Sequence, residues 1–167
     1  LIAGGANPDK VPSNGRTALI TAVRNRWTDI AEFLIRSGAD VNLADHVKMT
    51  PQMHAIAVDS FYMADLLLYY DADYTPVRKD GMDALMLACY LGRTAVVREL
   101  VAAGAVLDRQ DMEGHTAMHF AVKSGCVGCL ETLIAAGAST EIKTHSGYTP
   151  LSLAVAENKF AAARTLI

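Results

Sequence analysis

The sequence predicts an all-α solenoid in which helix-turn-helix units stack one after another and are joined by extended loops. Two observations predict this fold class. A step of 33 residues repeats through the 167-residue chain, and every step carries helix-start, helix-end and turn residues at the same positions. A period of about 20 to 50 residues is typical of repeat architectures. Hydrophobic residues make up 51% of the chain, which is enough to bury a core.

The first helix of each unit is predicted from its N-cap. The N-cap positions are Thr17, Thr50, Asp83, Thr116 and Thr149. Thr and Asp side chains accept hydrogen bonds from the free N–H groups at helix starts, and proline is tolerated at the next position, as at Pro51 and Pro150. An alanine five residues after each N-cap, such as Ala22, lets a neighbouring backbone come close.

The second helix is predicted from an apolar run that ends at a pair of small residues. In one unit the run contains Ile30, Phe33, Leu34 and Ile35. The pairs are Gly5-Ala6, Gly38-Ala39, Asp71-Ala72, Gly104-Ala105 and Gly137-Ala138. Glycine ends helices because it adopts the left-handed conformation cheaply. A unit of this size cannot bury its own apolar faces, so neighbouring units must supply the core.

The repeat frame predicts a single domain over residues 1–167. Its units fall at about residues 9–41, 42–74, 75–107, 108–140 and 141–167, with residues 1–8 ending a preceding repeat and the last unit truncated. Leu1-Ile2 and Leu166-Ile167 fall at the same phase, so both ends are expected to lie within a second helix. The chain is therefore expected to be a segment of a longer array or protein.

Five hexapeptides in one register resemble the Thr-Pro-Leu-His-x-Ala signature of the ankyrin-repeat family. They are Thr17-Ala-Leu-Ile-Thr-Ala22, Thr50-Pro-Gln-Met-His-Ala55, Asp83-Ala-Leu-Met-Leu-Ala88, Thr116-Ala-Met-His-Phe-Ala121 and Thr149-Pro-Leu-Ser-Leu-Ala154. The resemblance covers the whole chain. It implies an ankyrin-repeat solenoid with extended β-hairpin-like loops, acting as a non-catalytic module that binds a partner protein or peptide on its concave face and loop tips.

Two residues depart from the repeat pattern in the second unit. Lys48 replaces a turn glycine and Asp71 replaces a helix-end glycine, and lysine enters the left-handed region at a cost. Pro76, which lacks a backbone donor, lies in the loop after Asp71. We therefore expect a locally irregular second unit and a distorted or lengthened loop.

The composition argues against several classes of function. The net charge of −3 lacks the excess of Lys and Arg that a broad nucleic-acid or anionic-membrane surface requires. No apolar run approaches the ~18 residues of a membrane span, so no membrane insertion is expected. Three cysteines are too few for a disulfide scaffold and favour a reducing compartment, cytoplasmic or nuclear.

Two groups of residues have types that could carry chemistry, but the repeat frame favours packing roles. His115, His119, Cys126 and Cys129 are zinc-ligand types, yet His119 occupies the family's own histidine position and Cys129 a core position. Cys126-Val-Gly-Cys129 begins a helix, where thiolate pKa values fall in redox enzymes, but the βαβ context of those enzymes is missing. We expect small core fillers here, and no metal, cofactor or catalytic site.

The resemblance places the partner-binding surface at the loop tips and the inner face of the first helices. Transferred position by position, it comprises Arg16, Arg24, Val47, Met49, Val58, Lys79, Met82, Tyr90, Leu91, Met112, Glu113, His115, Lys123 and Tyr148. Met and Tyr pack adaptably against partners and Arg anchors polar groups. One alternative is that several of these side chains pack between repeats. Another is a regulatory or structural segment packed against another domain of a larger enzyme, channel or scaffold.

The resemblance also implies a modification at Asn42. In Gly38-Ala-Asp-Val-Asn42, with Leu34 eight residues earlier, Asn42 is similar to loop asparagines that an oxygenase hydroxylates in ankyrin repeats. The other interpretation is that Asn42 ties its own loop together.

Overall fold

Each repeat begins its first helix at the residue that the sequence marks as an N-cap. The side chains of Thr17, Thr50, Asp83 and Thr149 accept hydrogen bonds from the backbone N–H three residues later, at 2.9 to 3.3 Å. These bonds satisfy N–H groups that have no partner inside a helix. The predicted caps are confirmed.

The structure, a computed structural model, describes residues 5–13 and 15–167, and within these ranges it contains ten helices and no strand. They form five hairpins: α1 (Ala18–Arg24) with α2 (Thr28–Arg36), α3 (Pro51–Ala57) with α4 (Phe61–Tyr69), α5 (Ala84–Tyr90) with α6 (Thr94–Ala102), α7 (Ala117–Ser124) with α8 (Val127–Ala135), and α9 (Pro150–Ala156) with α10 (Phe160–Leu166). The predicted all-α repeat solenoid is confirmed. Leu1-Ile2 lies outside the described residues. No described helix is long and apolar enough to cross a membrane.

The chain divides into two compact units, Leu1–Lys79 and Asp80–Ile167. In the first unit, α1 packs against α2 and α3, and α3 packs against α4. The buried residues of its core are Leu19, Ala22, Val23, Ala31, Ile35, Ala39, Ala55, Met63, Ala64, Leu67 and Ala72. The two hairpins of this unit therefore bury their apolar stripes against each other, as the size of a single repeat requires.

In the second unit, α7 lies between its neighbours. It packs against α5, α8 and α9, while α8 also packs against α6 and α10. The alanines expected to allow close approach, Ala88, Ala121 and Ala154, are fully buried here, as Ala22 and Ala55 are in the first unit. Met53, Met86 and Met118 are each 1% exposed and belong to the packed interior of their repeats.

The second repeat is more regular than its sequence predicts. Lys48 has φ 64° and Asp71 has φ 60°, so both take the left-handed conformation that glycine takes at these positions. Lys48 N–H donates to Asp45 O at 3.0 Å, and Gly114 N–H donates to Asp111 O at 3.1 Å in the same way. The expected irregularity at Lys48 is wrong because the turn bonds hold the strained residue in place. The segment 70–83, which contains Pro76, has the same length as 37–50, so of the two expectations for this loop, distorted or lengthened, the lengthened one is wrong.

Candidate functional site

Two of the loop tips are shaped by an aspartate at the start of the turn. Asp45 Oδ1 accepts hydrogen bonds from Val47 N–H and Met49 N–H, both at 3.0 Å. Asp111 Oδ1 accepts from Glu113 N–H at 2.9 Å and His115 N–H at 2.7 Å. Each aspartate therefore fixes the backbone of two predicted binding residues. This role was not predicted from the sequence, although Asp45 and Asp111 stand at the same phase of the repeat.

Successive loop tips of the second unit are joined by backbone hydrogen bonds. Met112 N–H donates to Asp80 O at 3.1 Å, and His145 N–H donates to Glu113 O at 2.9 Å. Gly114 is needed at the second contact because it has φ +82° and a Cβ there would lie 2.7 Å from His145 N. These bonds hold the exposed Met112 and Glu113 side chains on a defined backbone.

Four side chains of the second unit form what we call the aromatic cluster: Tyr90, His115, Phe120 and Lys123. The Tyr90 and Phe120 rings meet edge to face with centroids 6.0 Å apart, and the His115 ring lies 5.4 Å from Phe120. Lys123 Nζ lies 5.7 Å from the Phe120 centroid, within the range of a cation–π contact. Phe120 was not predicted as part of the site; it is buried and supports the exposed Tyr90.

Lys123 also selects which ring nitrogen of His115 acts as the acceptor. Lys123 Nζ lies 2.8 Å from His115 Nε2, and an ammonium group can only donate. His115 Nε2 must therefore accept, which leaves the proton on Nδ1. That nitrogen faces Asp111 Oδ1 at 3.5 Å and Glu113 Oε2 at 3.6 Å. The cluster thus presents a cation on one side and carboxylates on the other.

The predicted binding residues differ in how accessible they are. Exposed side chains are those of Arg16, Arg24, Val47, Lys79, Tyr90, Met112, Glu113 and Tyr148, partly buried ones those of Met49, Val58, Leu91 and Lys123, and buried ones those of Met82 and His115. Met112 is 70% exposed and Tyr90 52%, whereas Met82 is 9% and His115 8%. Met82 and His115 therefore offer little contact area to a partner. Their side chains lie beneath the exposed residues and determine the shape of the surface there.

The first unit places a buried histidine–aspartate pair beneath its loop tip. His54 Nε2 lies 3.0 Å from Asp45 Oδ2, and Arg24 Nη1 lies 3.4 Å from His54 Nδ1. An arginine only donates, so Nδ1 accepts and the Nε2–H group donates to Asp45. Arg24 is thereby linked to the turn that carries Val47 and Met49. His54 was not singled out from the sequence; it occupies the same phase as Phe120.

Burial sets the titration of these groups. Burial lowers the pKa of His54, and the neighbouring Asp45 carboxylate only partly counters it. Burial acts to raise the pKa of Asp45, but hydrogen bonds from Met49, His54 and Val47 outweigh it and hold that pKa below its usual value. Both groups therefore keep their ordinary neutral-pH forms, a neutral imidazole and a carboxylate.

His119 has a structural role at the junction of two repeats. Its Nδ1 accepts from Thr116 N–H at 3.1 Å, and its Nε2 donates to Tyr148 O at 3.0 Å. Both ring nitrogens are occupied by protein partners. Burial lowers the pKa of His119, which keeps it neutral. Among the described residues, no group of three or more His, Cys, Asp or Glu side chains could hold a metal ion.

The two cysteines of Cys126-Val-Gly-Cys129 depart from their expected role. They are joined by a disulfide bond, and Cys126 is only partly buried, so the expectation of two small core fillers is wrong for this pair. Cys126 caps α8 instead, since its Sγ accepts from Cys129 N–H at 3.2 Å. Cys89, in contrast, is a free and fully buried thiol.

Asn42 belongs to a set of side chains that link the loops of adjacent repeats. Asn42 Oδ1 accepts from Asp73 N–H at 2.7 Å, just as Asp9 accepts from Asp40 N–H and Asp108 from Ser139 N–H, both at 2.9 Å. The side-chain bond runs to the next loop, while the Asn42 N–H donates to Asp40 Oδ1 at 2.8 Å within its own loop, so Asn42 is bonded both within its loop and to the next one. Its side chain remains exposed.

Comparison with known proteins identifies the repeats. A family model described as ankyrin repeats (3 copies) matches residues 1–78 and 72–144. The chain is 35% identical over 108 residues to Neurogenic locus notch homolog protein 1 of Xenopus tropicalis, a match that covers 64% of this chain and 4% of that protein. It is 32% identical over 117 residues to SH3 and multiple ankyrin repeat domains protein 2 of Homo sapiens, covering 70% of this chain and 6% of that protein. The chain thus spans only a small part of these relatives.

Proposed function

Because the chain belongs to the ankyrin-repeat family, we propose that it is a non-catalytic module that binds a partner protein or peptide through its inner helix faces and loop tips. The observation that carries the proposal is the exposure of Tyr90 and Met112 on a backbone fixed by hydrogen bonds. A rigid surface of this kind binds with little loss of conformational freedom. A cytoplasmic or nuclear location and hydroxylation of Asn42 are further parts of this proposal.

The aromatic cluster supports a specific mode of binding. Tyr90 rests on Phe120, so its ring is held in place and loses little entropy when a partner covers it. Lys123 and Glu113 lie on the rim and favour a partner segment that carries both a carboxylate and an amino or guanidinium group. We expect the exposed rings and Met112 to contribute most of the affinity, because desolvated aromatic and Met contacts dominate interfaces.

The test compares recovered partners between matched variants. Tyr90→Ala combined with Met112→Glu removes the exposed apolar contacts, and both sites are open to solvent, so the variant should still fold. Tyr69→Ala is the control, since Tyr69 is 79% exposed on α4, away from the loop tips. Proteins retained from lysate are compared by quantitative mass spectrometry after circular dichroism shows equal melting temperatures. A partner kept by the wild type and the control but lost from the double variant supports the proposal; equal retention by all three contradicts it.

A second candidate is a segment packed against another domain of a larger protein. It is favoured by the aromatic side chains on the second helices of the first unit, where Phe33, Tyr62 and Tyr69 are 62%, 63% and 79% exposed. Apolar rings at this exposure are typical of a surface that another chain segment covers. Failure of the wild type, the double variant and Tyr69→Ala alike to retain any specific partner in the same experiment would favour this candidate.

A further inference from the structure

The disulfide between Cys126 and Cys129 closes a very short loop at the start of α8. Only Val127 and Gly128 separate the two cysteines, and their Cα atoms lie 5.3 Å apart. A disulfide stabilises a fold mainly by restricting the unfolded chain, and this effect grows with loop length. A bond across two residues restricts the unfolded chain very little. Its presence in a helical repeat therefore calls for a role other than stabilisation.

We propose that Cys126 and Cys129 form a reversible thiol–disulfide exchange site that takes dithiols and disulfides as its substrates. This inference goes beyond the proposed partner binding and does not depend on it. Three features carry it: unequal access to the two sulfurs, groups that stabilise a Cys126 thiolate, and a position at a helix start.

Access to the pair is one-sided. Cys129 is fully buried, whereas Cys126 is only partly buried at the N-cap of α8. Of the two residues only Cys126 has surface open to solvent, so attack by an external thiolate is assigned to Cys126. This asymmetry assigns the roles: Cys126 forms the mixed disulfide with the substrate, and Cys129 is the resolving thiol that breaks it.

Three groups stabilise negative charge on Cys126 when the pair is reduced. Cys129 N–H donates to Cys126 Sγ at 3.2 Å, and the helix start adds the positive end of its dipole. Thr94 Oγ1, at the start of α6, lies 3.2 Å from Cys126 Sγ and 3.5 Å from Cys129 Sγ. Neither sulfur of the disulfide carries a proton, so the Thr94 hydroxyl is the donor. Hydrogen bonds to a thiolate are stronger than those to a neutral sulfur, so they favour the reduced form.

The reaction balances with a dithiol as reductant. One thiolate of the dithiol attacks Cys126 Sγ, a new S–S bond forms, and the bond between Cys126 and Cys129 breaks with its electron pair on Cys129, which takes up a proton. The second thiol of the dithiol loses its proton and attacks the mixed disulfide. Cys126 leaves as a thiolate, and the dithiol ends as a cyclic disulfide. Two electrons pass to the pair, and a disulfide oxidant drives the reverse reaction.

Cys89 provides an internal comparison. It is fully buried in α5, and burial raises the pKa of its thiol, so it should react with neither oxidants nor alkylating agents in the folded protein. It therefore reports whether any reactivity at Cys126 comes from unfolding.

The first test uses the folded wild-type protein in buffers of reduced and oxidised dithiothreitol. After equilibration, free thiols are alkylated and each cysteine is assigned by peptide mass spectrometry. We expect a reversible two-electron transition of Cys126 and Cys129 with unchanged helical circular dichroism, and alkylation of reduced Cys126 at least about tenfold faster than of Cys129 or Cys89. The proposal is overturned if Cys126 and Cys129 never form a disulfide in oxidised dithiothreitol, or if their disulfide is reduced only in denaturant.

The second test changes Thr94. Thr94→Val removes the hydroxyl and keeps the branched shape, while Thr94→Ser keeps the hydroxyl. Loss of one charge-assisted hydrogen bond should make the Thr94→Val pair about tenfold harder to reduce and move the pH profile of Cys126 alkylation upward. Thr94→Ser should stay within about twofold of wild type. If Thr94→Val is reduced as easily as the wild type and its Cys126 is alkylated with the wild-type pH profile, the proposed role of Thr94 is refuted.

Discussion

At the scale of single residues, the joined loop tips depend on glycine at position 114. Gly114 has φ +82°, and a Cβ there would clash with His145 N at 2.7 Å; Gly147 has φ +83° but no neighbour within 4 Å. Gly147→Ala should cost about 1 kcal/mol for the left-handed backbone alone. Gly114→Ala should cost about 3 kcal/mol, because it also displaces the hydrogen bond between Glu113 and His145. Urea unfolding of both variants measures the difference, and equal losses would contradict the role of the contact.

Stability at mildly acidic pH is set partly by His119. Burial lowers its pKa in the folded chain, so between that pKa and the unfolded value of about 6.5 the unfolded chain binds more protons. Its contribution to stability is complete above about pH 6.5 and is lost as the pH falls below it. His119→Gln should reduce the slope of the free energy of unfolding against pH, measured by urea titrations from pH 7.5 to 5.5. Some slope should remain, since burial lowers the pKa of His54 as well. An unchanged slope would show that His119 does not titrate differently in the two states.

At the scale of secondary-structure elements, the loops of adjacent repeats are coupled by single side chains. Asn42→Ala removes the acceptor for Asp73 N–H, at 2.7 Å, and should cost about 0.5 to 1 kcal/mol because the bond is exposed. Asn42→Asp should retain the stability, as Asp9 and Asp108 make the equivalent bond. The free energy of unfolding and the hydrogen exchange of the Asp73 amide are the measurements. If Asn42→Asp lowers the free energy of unfolding as much as Asn42→Ala does, the side-chain oxygen does not link the two loops.

The elements could be predicted from sequence much better than the environment of the site. Helix starts such as Thr17 follow from local chemistry, because a cap bonds to its own first turn. The burial of Met82 and His115 depends on contacts with neighbouring loops and helices, which the repeat phase alone does not contain. The same applies to the pairing of Cys126 with Cys129: their spacing permits a bond, but only the three-dimensional structure, in which their Cα atoms lie 5.3 Å apart, shows it.

At the scale of the whole molecule, the two compact units should differ in their ability to fold alone. The second, Asp80–Ile167, contains three helical hairpins, in which α7 and α8 are covered on both sides. The first, Leu1–Lys79, contains two hairpins in its described residues, and neither is covered on both sides within the unit. Since repeats are stabilised mainly by their interfaces, about three of them are needed for a stable stack.

We therefore expect a fragment of residues 80–167 to unfold cooperatively on its own and a fragment of residues 1–79 to be largely unfolded. Far-UV circular dichroism and thermal unfolding of the two fragments and the intact chain provide the measurements. If the chain is the single domain predicted from the sequence, the intact chain should show one unfolding transition in which both units melt together. Two separate transitions in the intact chain would show two folding units instead, because nearest-neighbour coupling across Lys79 and Asp80 would then be weaker than the stability of each unit.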